Sequence, residues 1–115
     1  MAYVVYKDLV VWQKSMTLVK DIYSLTRGFP REEMYGLISQ MRRAAVSIPS
    51  NIAEGSRRKG EETRQFLRFA FASGAELETQ IEISKQLGFC DMKKCKVIDV
   101  LLEEIMRMLN VMISK

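Results

Sequence analysis

The chain of 115 residues contains no histidine, and it has only two cysteines and two prolines. Because histidine is the commonest general base and the commonest transition-metal ligand, its absence argues against most acid–base and metal-dependent enzymes. The cysteines, Cys90 and Cys95, are five positions apart and would lie on different faces of a helix, with no third or fourth ligand in view. We therefore expect reduced thiols, no metal site, no cofactor and no catalytic residues.

Long hydrophobic runs are also missing. No apolar stretch approaches the roughly 20 residues that cross a bilayer. The first residues, MAYVVYKDLVVWQK, lack the charged, apolar and cleavage regions of a signal peptide. The length fits a single domain over residues 1–115, and a hydrophobic content of 48% is enough to build a core. We expect a cytoplasmic protein that makes no membrane contact.

The charge balance is mildly basic and uneven. Lysine and arginine number 18 against 14 acidic residues, for a net charge of +4. The segment 31–60 carries an excess of basic residues, whereas 61–90 carries an excess of acidic ones. Such a bias permits an anionic partner without requiring one, since most surface charge serves only solvation.

Apolar residues recur with the helical period in four segments, and no segment shows the alternation of a strand. We predict helices over residues 7–27, from Pro30 to about Gly55, over 61–87 and over 91–114. Short loops between long amphipathic helices favour an all-α, up-and-down antiparallel four-helix bundle.

Pro49 lies inside the second predicted helix. The apolar stripe runs through it without losing phase, at Met34, Ile38, Met41, Ala45, Ile48 and Ile52. The helix should therefore continue and be kinked at Pro49, because proline leaves the carbonyl of Ala45 without its donor. We expect Ser47, Ser50 and Asn51 to satisfy the backbone groups that the proline frees.

The third predicted helix is apolar around more than half of its circumference. The apolar positions are Phe66, Leu67, Phe69, Ala70, Phe71, Ala72, Leu77, Ile81, Ile83 and Leu87. A surface helix of a monomer needs an apolar arc of only ~100°. The sequence therefore predicts a second apolar neighbour for this helix, and hence an oligomer.

Two stretches resemble a known family. QMRRAAVSIPSNIAEG (Gln40 to Gly55) and GAELETQ (Gly74 to Gln80) are similar to the four-helix bundle proteins encoded within intervening sequences of bacterial 23S rRNA genes. The resemblance implies a homopentamer with a central channel. The accessory variability protein of diversity-generating retroelements is also similar, and that protein binds nucleic acid and a reverse transcriptase through basic surface. The description of the intervening-sequence members as ribosomal-protein-like rests mainly on gene location.

Basic residues of the second predicted helix, of the loop after it and of the start of the third are candidates for phosphate contact. They are Arg42, Arg57, Arg58, Lys59, Arg64 and Arg68. Phosphate binding needs a density of positive charge and no base reading. The alternative is a solvated loop flanked by ordinary surface arginines.

A second polar set is predicted to be structural, and it comprises Arg43, Asn51, Glu54, Glu76 and Glu78. Glu76 and Glu78 fall inside the apolar arc of the third helix, so we expect buried carboxylates that pair with Arg43 or its neighbour Arg42. Loss of Arg43 should then cost roughly 3–5 kcal/mol of stability.

Three functions compete at this point. The first is a non-enzymatic, oligomeric binding protein for RNA or DNA. The second is a protein-interaction scaffold, or an accessory subunit of a nucleic-acid enzyme such as a reverse transcriptase. The third is a helical ribonuclease of the kind that uses an arginine and a nearby histidine, and we expect no such activity because the chain has no histidine.

Overall fold

The computed structural model describes residues 5–115, and these residues contain four α-helices and no strand. The helices are α1 (Val10–Thr26), α2 (Leu37–Ser56), α3 (Glu61–Gln86) and α4 (Met92–Ser114). Two single-turn 3₁₀ helices, Tyr6–Asp8 and Arg31–Glu33, precede α1 and α2. The predicted all-α four-helix bundle is confirmed.

The core takes apolar side chains from all four helices. Fully buried large side chains include Leu18 and Ile22 of α1, Met41, Ile48 and Ile52 of α2, Leu77 and Ile81 of α3, and Ile98, Leu102, Ile105 and Leu109 of α4. Each such side chain stabilises the fold by about 1.5–3 kcal/mol relative to exposure. The helices are therefore held together chiefly by this shared interior.

Each helix packs against two others. α2 lies between α1 and α3, and α4 lies between α3 and α1. The hydroxyl of Ser73 donates to that of Ser47 at 2.9 Å, while Gly55, near the end of α2, closely approaches Thr63 and Phe66, near the start of α3. These contacts agree with the predicted up-and-down order. That order and a kink at Pro49 stay predictions.

Both of the first two helices begin later than predicted. Tyr6–Asp8 forms a 3₁₀ turn, and Leu9 is extended, so α1 starts at Val10. Pro30 introduces a second 3₁₀ turn instead of the first turn of α2, which starts after Gly36. Periodicity extended both helices too far because a 3₁₀ turn repeats nearly as a helix does.

The predicted C-terminal end of α3 and the predicted start of α4 are confirmed. The amide of Phe89 donates to the Ser84 carbonyl, and the amide of Gly88 donates to that of Lys85. With Gly88 at a φ of 74°, this is the glycine cap in which a left-handed residue stops the helix. At the start of α4, the Asp91 carboxylate accepts from the amides of Lys93 and Lys94, as an N-cap does.

Pro49 is buried within α2, which continues through it as predicted. The neighbouring polar side chains bond to carbonyls other than the one that the proline frees. Ser50 donates to the Val46 carbonyl, and Asn51 donates to the Ser47 carbonyl, each at 2.8 Å. The expectation that they satisfy the carbonyl of Ala45 was wrong.

The expectation of reduced thiols was also wrong, because Cys90 and Cys95 form a disulfide. Cys90 lies in the loop before Asp91 and not on the helix, so the argument from opposite helix faces fails. The Cα atoms are 6.4 Å apart, within the usual range for a disulfide.

Candidate nucleic-acid interface

Five basic residues meet where α2 ends and α3 begins. This basic corner consists of Arg57, Arg58, Lys59, Arg64 and Arg68. Its loop turns at Gly60, which has a φ of 56° that other residues rarely adopt. The turn places the end of α2 beside the first turns of α3, as the phosphate-contact hypothesis requires.

Arg58 is less available for phosphate contact than the sequence predicts. Its guanidinium donates to the Glu54 carboxylate and lies 3.6 Å from that of Glu62. It also lies 5.3 Å from the centre of the Phe66 ring. The hydrogen bond and charge of Glu54 raise the pKa of Arg58 above its ordinary value. This arginine is therefore partly neutralised by its own neighbours.

Glu61 occupies two further arginines of the basic corner. It accepts from Arg68 at 2.7 Å and from Arg64 at 3.2 Å. The Arg68 guanidinium first, and Arg64 second, lower the pKa of Glu61 below its ordinary value. Glu61 thus stays ionised at neutral pH and competes with any phosphate for both arginines.

Arg57 and Lys59 are the basic-corner residues that have no carboxylate partner within residues 5–115. Both are exposed, and the guanidinium of Arg57 lies 5.7 Å from the centre of the Tyr6 ring. Together with Glu54, Glu61 and Glu62, the basic corner holds five positive and three negative charges. The net charge of +2 is concentrated at Arg57 and Lys59.

Arg42 and Arg43 lie in environments opposite to those predicted for them. Arg42, predicted as a phosphate ligand, is half-buried, lies over the Tyr23 ring at 4.5 Å and donates to the Thr26 hydroxyl at 3.0 Å. Arg43, predicted to be paired and buried, is exposed. Its replacement by alanine should change stability by no more than about 0.5 kcal/mol, as for ordinary surface residues.

The predicted buried cluster does not form among residues 5–115. Glu54, Glu76 and Glu78 are all exposed, and Glu76 accepts a hydrogen bond from Nε2 of Gln80 at 3.2 Å. The apolar arc of α3 is so wide that the helical period does not fix its centre. The core takes the side with Leu67, Ala70, Gly74, Leu77 and Ile81, and the glutamates lie outside it.

Asn51 alone of the predicted structural set joins two helices through other side chains. It donates to the Ser47 hydroxyl at 2.9 Å, and that hydroxyl accepts from Ser73 of α3. The residue is therefore part of a short polar chain across the α2–α3 contact.

The outer surface of α3 keeps the excess apolar area that the sequence predicts. Phe69, Ile83 and Leu87 are 45%, 44% and 57% exposed. Gln80, three residues before Ile83, is buried, and its Oε1 has no hydrogen-bond partner in the described part of the chain. The exposed apolar side chains are what distinguish this face from an ordinary solvated helix face.

Tyr35 is a surface feature that sequence reasoning missed, because residues after Pro30 were assigned to a regular helix. It lies between the second 3₁₀ turn and α2 and is 97% exposed. The dipeptide Tyr35-Gly36, with glycine as a helix breaker, was the available signal.

Comparison with known protein families shows to which family the chain belongs. The family model of the 23S rRNA-intervening sequence protein matches residues 7–111. The chain belongs to this family. In this family member, the matched segment begins before α1 and ends within the last turn of α4, so it includes the basic corner. No curated protein matches the chain. Within residues 5–115, this family member has no helix that is long and apolar enough to cross a membrane.

Proposed function

We propose that the protein is a non-enzymatic homopentamer that binds RNA or DNA through the basic corner. The observation that carries the proposal is the exposure of Arg57 and Lys59 beside Arg58, with no carboxylate partner for the first two in the described residues. Unpaired, exposed cations of this kind are available to phosphate oxygens and need no base contact.

Assembly would multiply this small charge. Phe69, Ile83 and Leu87 expose apolar surface that one bundle does not cover, and such surface marks protein contacts. A head-to-tail contact that closes forms a ring, in which five basic corners become a continuous belt. A belt with a net charge of +2 per subunit suits the dense, regular charge of a nucleic-acid backbone.

The test compares two triple variants. Arg57, Arg58 and Lys59 are replaced by alanine in one, and Lys93, Lys94 and Lys96, at the start of α4, are replaced in the control. All three control residues are also exposed. Binding to a structured RNA, followed by mobility shift at two salt concentrations, should weaken about tenfold in the first variant and stay near the parent value in the control.

The salt dependence of RNA binding shows whether the replaced residues contact phosphate. Since each lost phosphate contact reduces the slope of log affinity against log salt by about one, the corner variant should show a flatter slope. Melting temperature should change little, because the three residues are exposed. Equal binding by the corner variant and the parent would refute this role for the basic corner.

A second candidate is an accessory subunit of a nucleic-acid enzyme such as a reverse transcriptase. It is favoured by exposed valines on α4, where Val97, Val100 and Val111 are 63%, 62% and 54% exposed. Co-purification with a reverse transcriptase that persists in the corner triple variant, but is lost when these valines become serine, would favour this function over the first.

A further inference from the structure

A groove of about 490 Å³ lies between α1 and the start of α2, away from the basic corner. Its lining includes Tyr23, Met34, Tyr35, Ile38, Arg42 and Arg43. This lining combines two aromatic rings, two guanidinium groups and apolar side chains, and it contains no carboxylate. The groove is therefore electropositive and has an apolar floor.

Arg42 is held in a fixed position at this groove. Its ring contact with Tyr23, at 4.5 Å, and its hydrogen bond from Nε to Thr26 hold the guanidinium between α1 and α2. Only Nε has an acceptor among residues 5–115, so the remaining N–H groups of the fork can bind an anion. A guanidinium that is already ordered loses little conformational entropy when it does so.

Arg43 adds a second positive charge. It is exposed and forms no ion pair within the described residues. The acidic residues that precede it most closely in the sequence are Glu32 and Glu33. Glu32 is exposed, and the carboxylate of Glu33 accepts from the amide of Leu37 at 3.3 Å. Glu33 therefore caps the start of α2 and does not neutralise the arginines.

Tyr35 completes the arrangement. Its side chain is 97% exposed, so burial in the core does not explain the ring. An exposed aromatic ring beside arginines can stack on a nucleobase while the guanidinium groups bind the adjoining phosphate. The base faces of a duplex are covered by their own stacking, so this combination selects single-stranded nucleic acid.

We infer that this groove is a second nucleic-acid site, which binds single-stranded RNA or DNA with a base on Tyr35 and phosphate on Arg42 and Arg43. The inference rests on the proposed function and extends it in two respects. It adds residues distant from the basic corner, and it specifies the strandedness of the ligand.

The experiment measures fluorescence anisotropy of labelled oligo(dT), oligo(rU) and a DNA duplex of equal length with the whole protein. Tyr35→Ala should weaken binding of both single strands about tenfold, as expected for one lost base stack. Tyr35→Phe, which keeps the ring, should bind within about twofold of the parent. Duplex binding should be unchanged in both variants.

Arg43→Ala tests the phosphate contact, and Arg107→Ala is its control. Arg107 is also exposed, on α4, and pairs only with Glu103 in the described structure. Arg43→Ala should reduce the salt slope for oligo(dT) by about 0.7, the value for one contact to a single strand, while the control leaves it unchanged. Photocrosslinking of an oligonucleotide that contains 5-iodouracil should label the tryptic peptide of residues 32–42, which carries Tyr35.

The outcomes distinguish the two proposals. If the parent binds no nucleic acid at low salt, the proposed function fails and the groove assignment fails with it. If the parent binds while Tyr35→Ala binds oligo(dT) equally well, only the groove assignment is overturned. If Tyr35→Ala dissociates the oligomer in sedimentation, the groove holds a neighbouring subunit, and the assignment of a nucleic-acid ligand is wrong.

Discussion

Glu61 is the residue that decides how much of the basic corner is available. Its carboxylate holds Arg64 and Arg68 together. Glu61→Gln should release both arginines and raise the affinity for structured RNA about three- to tenfold at low salt. Glu103→Gln is the matched control, since Glu103 pairs with Arg107 on α4, and it should leave the affinity unchanged. A mobility shift that gives equal affinities for both variants would show that Arg64 and Arg68 do not bind phosphate.

The pH dependence of this effect has a definite sign. Because the pKa of Glu61 is lowered from an ordinary value of 4.5, the ion pairs persist at neutral pH and are lost only as the pH falls through the folded value. Their contribution to stability is thus present above the unfolded pKa and lost in acid. The advantage of Glu61→Gln in binding should therefore be constant between about pH 6 and about pH 8.

At the scale of the element, α2 tolerates a buried proline in its interior. Pro49→Ala restores a backbone donor, which favours the helix by about 3 kcal/mol. Two effects oppose that gain. The loss of two buried ring carbons costs about 1.6 kcal/mol, and the greater freedom of the unfolded chain costs about 0.4–1 kcal/mol. We expect a net stabilisation of about 0.5–1 kcal/mol, measured by urea unfolding.

The control for this prediction is Ser50→Ala, which removes a side-chain bond to Val46 without restoring a backbone donor. Reduced stability of Pro49→Ala would contradict the prediction and indicate that the ring packs better than its area suggests. If sedimentation shows weaker assembly at higher stability, the proline shapes a contact between subunits.

The elements also show how far sequence reasoning extends. The end of α3 before Gly88 and the start of α4 at Asp91 were predicted because each depends on a few adjacent residues. The exposure of Glu76 was not, since the wide apolar arc of α3 leaves the rotation of that helix undetermined. Arg43, on α2, was expected to be buried only because Glu76 and Glu78 were expected to need a partner. The Cys90–Cys95 bond was missed because it depends on the loop that precedes α4. Tyr35 was missed because its surroundings were assigned to a regular helix.

At the scale of the whole molecule, the outer face of α3 predicts an oligomer, and the family resemblance implies that it has five subunits. The parent protein should sediment as a pentamer at micromolar concentration. Phe69→Ser combined with Ile83→Ser should shift it toward the monomer without loss of helical circular dichroism, because both side chains are already half-exposed in the single chain. Val10→Ser combined with Met92→Ser, which replaces two exposed apolar residues at other helix starts, should leave the assembly intact. A well-folded monomeric parent would contradict the prediction.

The continuity of α2 has a consequence for the length of the ligand. Arg43 lies within α2, and Arg57 caps its C-terminal end. Their separation along a straight helix axis is roughly 21 Å at 1.5 Å per residue. A stacked strand that advances ~3.4 Å per nucleotide covers this distance with about six nucleotides. Shorter strands reach one end only, whereas longer ones join both ends and gain the high effective concentration of a tethered second contact. If one strand occupies both proposed sites, the length of α2 between them sets a minimum strand length that is independent of base sequence.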